Sequence, residues 1–268
     1  MNYTLNVHGQ LLDLSRPLVM GILNATPDSF FADSRQQTEE DIVLSCSKML
    51  AEGAAIIDVG GCSTRPGGEV ASEAEEMKRL RTALAVVRRE HPQAVVSVDT
   101  FRPDVARMAV EEFGADIIND VSGGTPEMFR MVARLHVPYI LMSLQPTMRA
   151  MLLSFAEKVQ QLRDMGANDL ILDPGFGFGK TLEQNYEVMN QLEKLQVMEL
   201  PLLVGISRKS MIYRLFSYTP QEALNGTTAL NTIALMKGAS ILRVHDVKEA
   251  MECVRIVQQL NCKCSNNN

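Results

Sequence analysis

The chain has 268 residues, 46% of them hydrophobic, and a formal net charge of −6. That is enough for one large core, and the negative balance disfavours non-specific binding to nucleic acid or to a membrane surface. The sequence contains no apolar run of about 18 residues for a membrane span, its N-terminus lacks the basic and apolar regions of a signal peptide, and its five cysteines show no disulfide-framework spacing, so a soluble, cytoplasmic protein is expected.

Along the chain, residues 3–7 and 11–14 flank His8-Gly9-Gln10 and predict a β-hairpin. Eight short, Val-, Ile- and Leu-rich runs follow, at 18–24, 55–60, 95–100, 117–121, 139–143, 170–173, 202–207 and 240–245. Their near-continuous apolarity is that of parallel strands covered on both faces. Between them the sequence predicts helices. Ser72-Glu73-Ala74-Glu75 reads as a capping box ahead of the stripe Met77, Leu80, Leu84 and Val87. Pro103 suits a first helical position, with Val105, Met108 and Ala109 facing inward. Asp246 reads as the cap of a last helix that buries Ala250, Cys253, Val254 and Val257. Gly53, Gly114, Gly166 and Gly238 stand where left-handed helix ends are expected, each followed by Ala in a faint repeat. Cys46 and Cys253 read as core thiols. Eight such units favour an α/β fold of (β/α)8 TIM-barrel type with an N-terminal β-hairpin, the open doubly wound sheet being the alternative. One domain over 1–261 is expected, and 262–268 reads as a disordered tail.

In a barrel of this kind the site forms where strands end and βα loops begin. The polar residues at those points are Asn24, Ser63-Thr64-Arg65, Asp99, Asn119-Asp120, Met142-Ser143, Asp173, Ser207-Arg208-Lys209 and Arg243-Val244-His245. Asp120, Ser122 and Asp246 fit the plain reading of helix caps. Asp99, Asn119 and Asp173 do not, because a carboxylate or amide against an apolar strand must be paired or face a ligand. Arg65, Lys209, Arg243 and His245 at the same mouth, with helix N-termini, suit a phosphorylated ligand; a surface ion-pair network is the alternative. The stretch from Gly175 to Lys180-Thr181 is one residue short of a phosphate-binding P-loop. No zinc spacing and no serine elbow is present.

The stretches 20–30, 58–67, 97–100, 118–124, 173–181, 205–209 and 243–247 occur in an order that resembles the dihydropteroate synthase family over nearly the whole chain. The resemblance implies condensation of 7,8-dihydropterin-6-ylmethyl diphosphate with p-aminobenzoate, giving 7,8-dihydropteroate and pyrophosphate. It implies that Asp173, Asn119, Asp99 and Lys209 contact the pterin, with Met142 and Phe178 near its ring. Arg65, Arg243 and His245 would hold the diphosphate, and Asn24 would ligate its Mg2+. Phe30, Thr64, Pro66 and Ser207 would form the p-aminobenzoate pocket, helped by the N-terminus of the helix after Ser207. Asp99, Lys209 and Arg243 would serve the chemistry, and a homodimer is implied. The chain departs from the family pattern at 31–35, at Cys62 (usually Glu) and at Ser143 (usually His). A pterin-binding methyltransferase domain shares the pterin contacts but has less need of the cationic motifs; a non-catalytic pterin-binding paralogue is the other alternative.

Overall fold

The computed structural model describes residues 3–25, 35–62 and 71–262. The hairpin strands β1 (Thr4–Val7) and β2 (Gln10–Asp13) pair antiparallel. Their His8-Gly9 turn has φ values of +48° and +82°, the two left-handed residues of a tight hairpin. Parallel strands and helices then alternate. They run β3 (Leu18–Asn24), α1 (Arg35–Ala51), β4 (Ile56–Gly60), α2 (Glu73–Glu90), β5 (Val95–Asp99), α3 (Pro103–Phe113), β6 (Ile117–Asp120) and α4 (Pro126–Leu135). They continue β7 (Tyr139–Met142), α5 (Met148–Asp164), β8 (Leu170–Asp173), α6 (Leu182–Asn190), β9 (Leu203–Val204), α7 (Ser210–Tyr213), α8 (Leu224–Met236), β10 (Ile241–Val244) and α9 (Val247–Cys262).

The strand order β8-β7-β6-β5-β4-β3-β10-β9 runs around a ring. A bridge between Leu172 and Leu202, with the Leu172 N–H donating to Pro201 O at 2.9 Å, joins the two ends. This is the expected barrel rather than the open sheet. Seven strands match their sequence-based bounds to within a residue, but β9 is only Leu203–Val204. Pro201 cannot donate to a ladder, and beyond Val204 the chain turns in toward Arg243 at Gly205.

Side chains alternate across each strand. One face looks outward: Val19, Ile57, Val96, Ile118, Leu172 and Leu242 pack in the large core shared with the helices. The other looks into the barrel, where Met20, Ile56, Ile117, Ile140, Ile171, Leu203 and Ile241 cluster with Leu5 and Leu14 of the N-terminal segment. This apolar plug fills the bottom. One step of two residues higher, the inward positions become Asp58, Asn119, Met142, Asp173 and Arg243. The alternation itself therefore lifts the polar groups to one end.

Local signals hold with two refinements. Gly53, Gly114, Gly166 and Gly238 all adopt positive φ. Ser72 caps α2, its hydroxyl accepting the Glu75 N–H at 3.3 Å, but Glu75 turns to Arg79 at 3.0 Å instead of completing the box. Arg88, in the last turn of α2, donates to Ala94 O at 2.7 Å and to Asp116 at 2.8 Å, beside the starts of β5 and β6. Cys46 and Cys253 are buried thiols. Among the described residues no helix is long and apolar enough to cross a membrane.

Ile171 lies in the plug with no exposure. Ile171→Ala should cost about 2–5 kcal/mol of stability, read as a lower urea midpoint at unchanged slope.

Candidate active site

The inward polar layer is organised by one cation. Asp58, in the middle of β4, is fully buried and accepts from Arg243 Nε at 2.6 Å. The same guanidinium donates from Nη2 to Asp99 at 2.7 Å. Asn119 Nδ2 donates to the same Asp58 oxygen at 3.1 Å. Strand register pairs Gly60 with Asp99 and Asp99 with Asn119, and sets Asp58 beside Ser97, two residues before Asp99. Burial pushes the Asp99 carboxyl up to about 7; Arg243 opposes that shift and the charge of Asp58 adds to it. Burial would lower the Arg243 value, but Asp58 and Asp99 together hold it above the ordinary one. Among the described residues, Asp58 Oδ1 and Asn119 Oδ1 are buried and have no hydrogen-bond partner, acceptors suited to a ligand's N–H groups.

A second group of charges sits beside the first. Asp173 ends β8 next to Met142 of β7, and its Oδ1 accepts the Gly175 N–H at 2.7 Å. Burial raises the Asp173 carboxyl, with Lys209 pulling against it. Lys209 Nζ donates to Phe176 O at 2.5 Å and lies 4.6 Å from the centre of the Phe178 ring. Burial lowers this amine to about 8, Asp173 opposing. The glycine-rich turn after β8 depends on its glycines: a Cβ on Gly175, at φ +68°, would meet Ser143 O at 2.3 Å.

The ends of β9 and β10 are tied together. Ser207 Oγ accepts the His245 main-chain N–H at 3.2 Å and lies 3.1 Å from its Nδ1. Arg208 has φ +54°; its N–H donates to Thr227 Oγ1 at 3.2 Å and its guanidinium grips Asp246 at 2.9 and 2.5 Å. The Asp246 carboxylate thus serves Arg208 rather than capping α9. Asp120 is likewise no helix cap. It accepts the Ser122 N–H and the Tyr139 hydroxyl, each at 2.7 Å, while Thr125 caps α4. The helix after Ser207, α7, is a single turn. Asn24 ends β3 with its Oδ1 3.9 Å from where a Cβ on Gly60 would lie, a position 3.7 Å from Asp99 Cβ.

The structure brings Asp99, Asn119, Met142, Asp173, Phe178, Lys209 and Arg243 to one mouth, with Asn24, Ser207 and His245 at its strand ends. Phe30, Ser63, Thr64, Arg65 and Pro66, and residues 31–34 of the first departure, lie outside the described residues. Sequence reasoning missed Asp58 as a site residue, although it is the one charge inside an otherwise apolar strand. It also missed Lys180, which holds three carbonyls, and the pairing of buried Glu76 with the half-buried Arg102. At the Ser143 departure, the main-chain carbonyl accepts from Lys180 Nζ at 3.1 Å and the hydroxyl accepts the Gln145 N–H at 3.2 Å.

Residues 20–245 match the family model described as pterin binding enzyme. The dihydropteroate synthase of Escherichia coli K12 is 41% identical, with 93% of this chain and 94% of that protein covered. The chain belongs to the dihydropteroate synthase family. Solved structures agree. A Yersinia pestis dihydropteroate synthase with a sulfonamide drug superposes with a TM-score of 0.89 at 38% identity, covering 97% of this chain and 100% of that one. A Xanthomonas albilineans dihydropteroate synthase with 4-aminobenzoic acid gives 0.89 at 35%, covering 97% and 99%. Membership at this identity over nearly the full chain makes the protein an enzyme of folate synthesis.

Asp99 supplies a pH signature. Its carboxyl titrates at 3.8 when unperturbed and at about 7 when folded. Between those values the unfolded chain has lost a proton that the folded one keeps, so this group's contribution to stability is full below 3.8 and falls as pH rises to about 7. Urea unfolding should show Asp99→Asn gaining stability relative to the parent across that window, and no further outside it.

Proposed function

We propose that the mouth of this barrel joins 7,8-dihydropterin-6-ylmethyl diphosphate to p-aminobenzoate, releasing 7,8-dihydropteroate and pyrophosphate. The supporting observation is the Arg243 guanidinium, 2.6 Å from Asp58 and 2.7 Å from Asp99. It joins acceptors fit for a flat, N–H-rich heterocycle to cations fit for a diphosphate.

Asp173 takes the side-by-side N–H donors of the pterin's amino-pyrimidinone edge, for which a two-oxygen acceptor is the complement. Asn119 and Asp99 take its other polar atoms, and Lys209 reaches its carbonyl and ring-nitrogen side. Met142 and Phe178 cover the ring. Arg243, His245 and Arg65 hold the diphosphate. The methylene C–O bond breaks with its electron pair leaving on pyrophosphate, and the cations at the rim neutralise that charge. The methylene becomes cationic, and ionised Asp99 stabilises it. The aniline nitrogen of p-aminobenzoate attacks this carbon and then sheds a proton. Phe30, Thr64, Pro66 and Ser207 form its pocket.

Mg2+ fits as a companion of the substrate. Asn24 offers a hard amide oxygen at the end of β3, and Mg2+ takes few protein ligands beside phosphate oxygens and water. Among the described residues no group of three His, Cys, Asp or Glu side chains could hold a metal without substrate. When bound, the ion would lower the charge of the leaving diphosphate; Asn24 would orient it. The working form we propose is a cytoplasmic homodimer.

A coupled pyrophosphate-release assay with both substrates tests the reaction: turnover that needs both supports it, and pterin binding without turnover contradicts it. Asp173→Ala should weaken pterin binding about a hundredfold or more in calorimetry, and full affinity in that variant would remove Asp173 from the pterin site.

A further inference from the structure

The turn between β8 and α6 holds a cation that no step above uses. Lys180 Nζ donates to Gly175 O at 3.0 Å, to Ser143 O at 3.1 Å and to Phe178 O at 3.2 Å. An ammonium has three N–H donors and no acceptor, so its hydrogen-bonding capacity is filled by carbonyls from two neighbouring βα turns. On the other side of the same turn, Lys209 takes Phe176 O at 2.5 Å. Asn185 adds a third hold, accepting the Gly177 N–H at 2.7 Å and donating to Thr181 O at 2.6 Å.

The turn needs such holds. Gly175, Gly177 and Gly179 have φ of +68°, +83° and +62°, conformations open to glycine but imposing no order of their own. Carbonyls aimed at one point also repel one another unless a positive charge lies there. From this turn the site takes the Gly175 N–H that orients Asp173 and the Phe178 ring beneath the Lys209 ammonium.

We infer that Lys180 is a positioning residue for pterin binding: its ammonium fixes the glycine turn, so that Asp173 and Phe178 meet the heterocycle in one geometry, without touching the substrate. This rests on the pterin reading given above. It also explains how position 143 can carry Ser, since the carbonyl that Lys180 needs belongs to any residue.

The test compares Lys180→Met, which keeps length and loses charge, with Lys180→Arg, which keeps charge. In the Met variant, hydrogen exchange should quicken in residues 174–181 while the barrel strands keep their protection. The pterin diphosphate KM should rise about tenfold or more, with kcat at saturation changing far less. The Arg variant should recover part of both. Quickened exchange with unchanged pterin KM would overturn the inference, as would unchanged exchange, or an Arg variant no better than Met. If the Met variant fails to fold, the Arg variant decides: parental exchange and KM support the inference, and a pterin KM as poor as that of Asp173→Ala contradicts it. Asp173→Ala separates the two levels. If it keeps pterin affinity, the pterin reading falls; if it loses affinity while Lys180→Met does not, only the role of Lys180 falls.

Discussion

One buried guanidinium shared by two carboxylates sets the geometry of this site. Arg243 comes from β10, Asp58 from β4 and Asp99 from β5, so the contacts at 2.6 and 2.7 Å reach from β10 past β3 and fix three strands relative to one another. Burying these charges is costly, and such a cluster is poor support for stability by itself. Its value lies in preorganisation. Groups held before the substrate arrives need no rearrangement when charge develops. Burial is the main reason that Asp99 holds its proton to about neutral pH; Arg243 opposes it, and the second acid, Asp58, adds to it.

Everything beneath that cluster exists to keep it in place. The plug of Met20, Ile56, Ile117, Ile140, Ile171, Leu203 and Ile241 is closed from below by Leu5 and Leu14. Stability and chemistry are therefore stacked along the barrel axis, apolar at the amino ends of the strands and polar at the carboxyl ends. The loops then tune the upper layer. Lys180 and Lys209 hold the glycine turn after β8, and the pairing of Arg208 with Asp246 ties the turn after β9 to the one after β10.

Much of this was legible in the sequence. Strand-length apolar runs punctuated by Gly-Ala located the barrel strands, because burial on both faces leaves little else in a run of five residues. Asp173 declared itself by closing such a run against a glycine turn. Asp58 did not. Its neighbours made it look like part of a motif, and only the alternation from Ile56 shows that it points inward. The partners of Asp120 and Asp246 were equally hidden: a carboxylate before a helix reads as a cap, and the competing Tyr139 hydroxyl and Arg208 guanidinium come from distant parts of the chain. Glu76 sits on a helix rich in charge, and its burial against Arg102 follows from tertiary packing, which periodicity does not encode.

A crystal structure with pterin diphosphate bound is the most direct measurement. The expected result has the amino-pyrimidinone edge on Asp173, with Asn119 and Asp99 on the same ring. The phosphates would lie toward Arg243 and His245, with Arg243 still bonded to Asp58. A heterocycle bound away from Asp173, or an Arg243 that leaves Asp58 to reach the ligand, would contradict the preorganised grip on which the proposed chemistry depends.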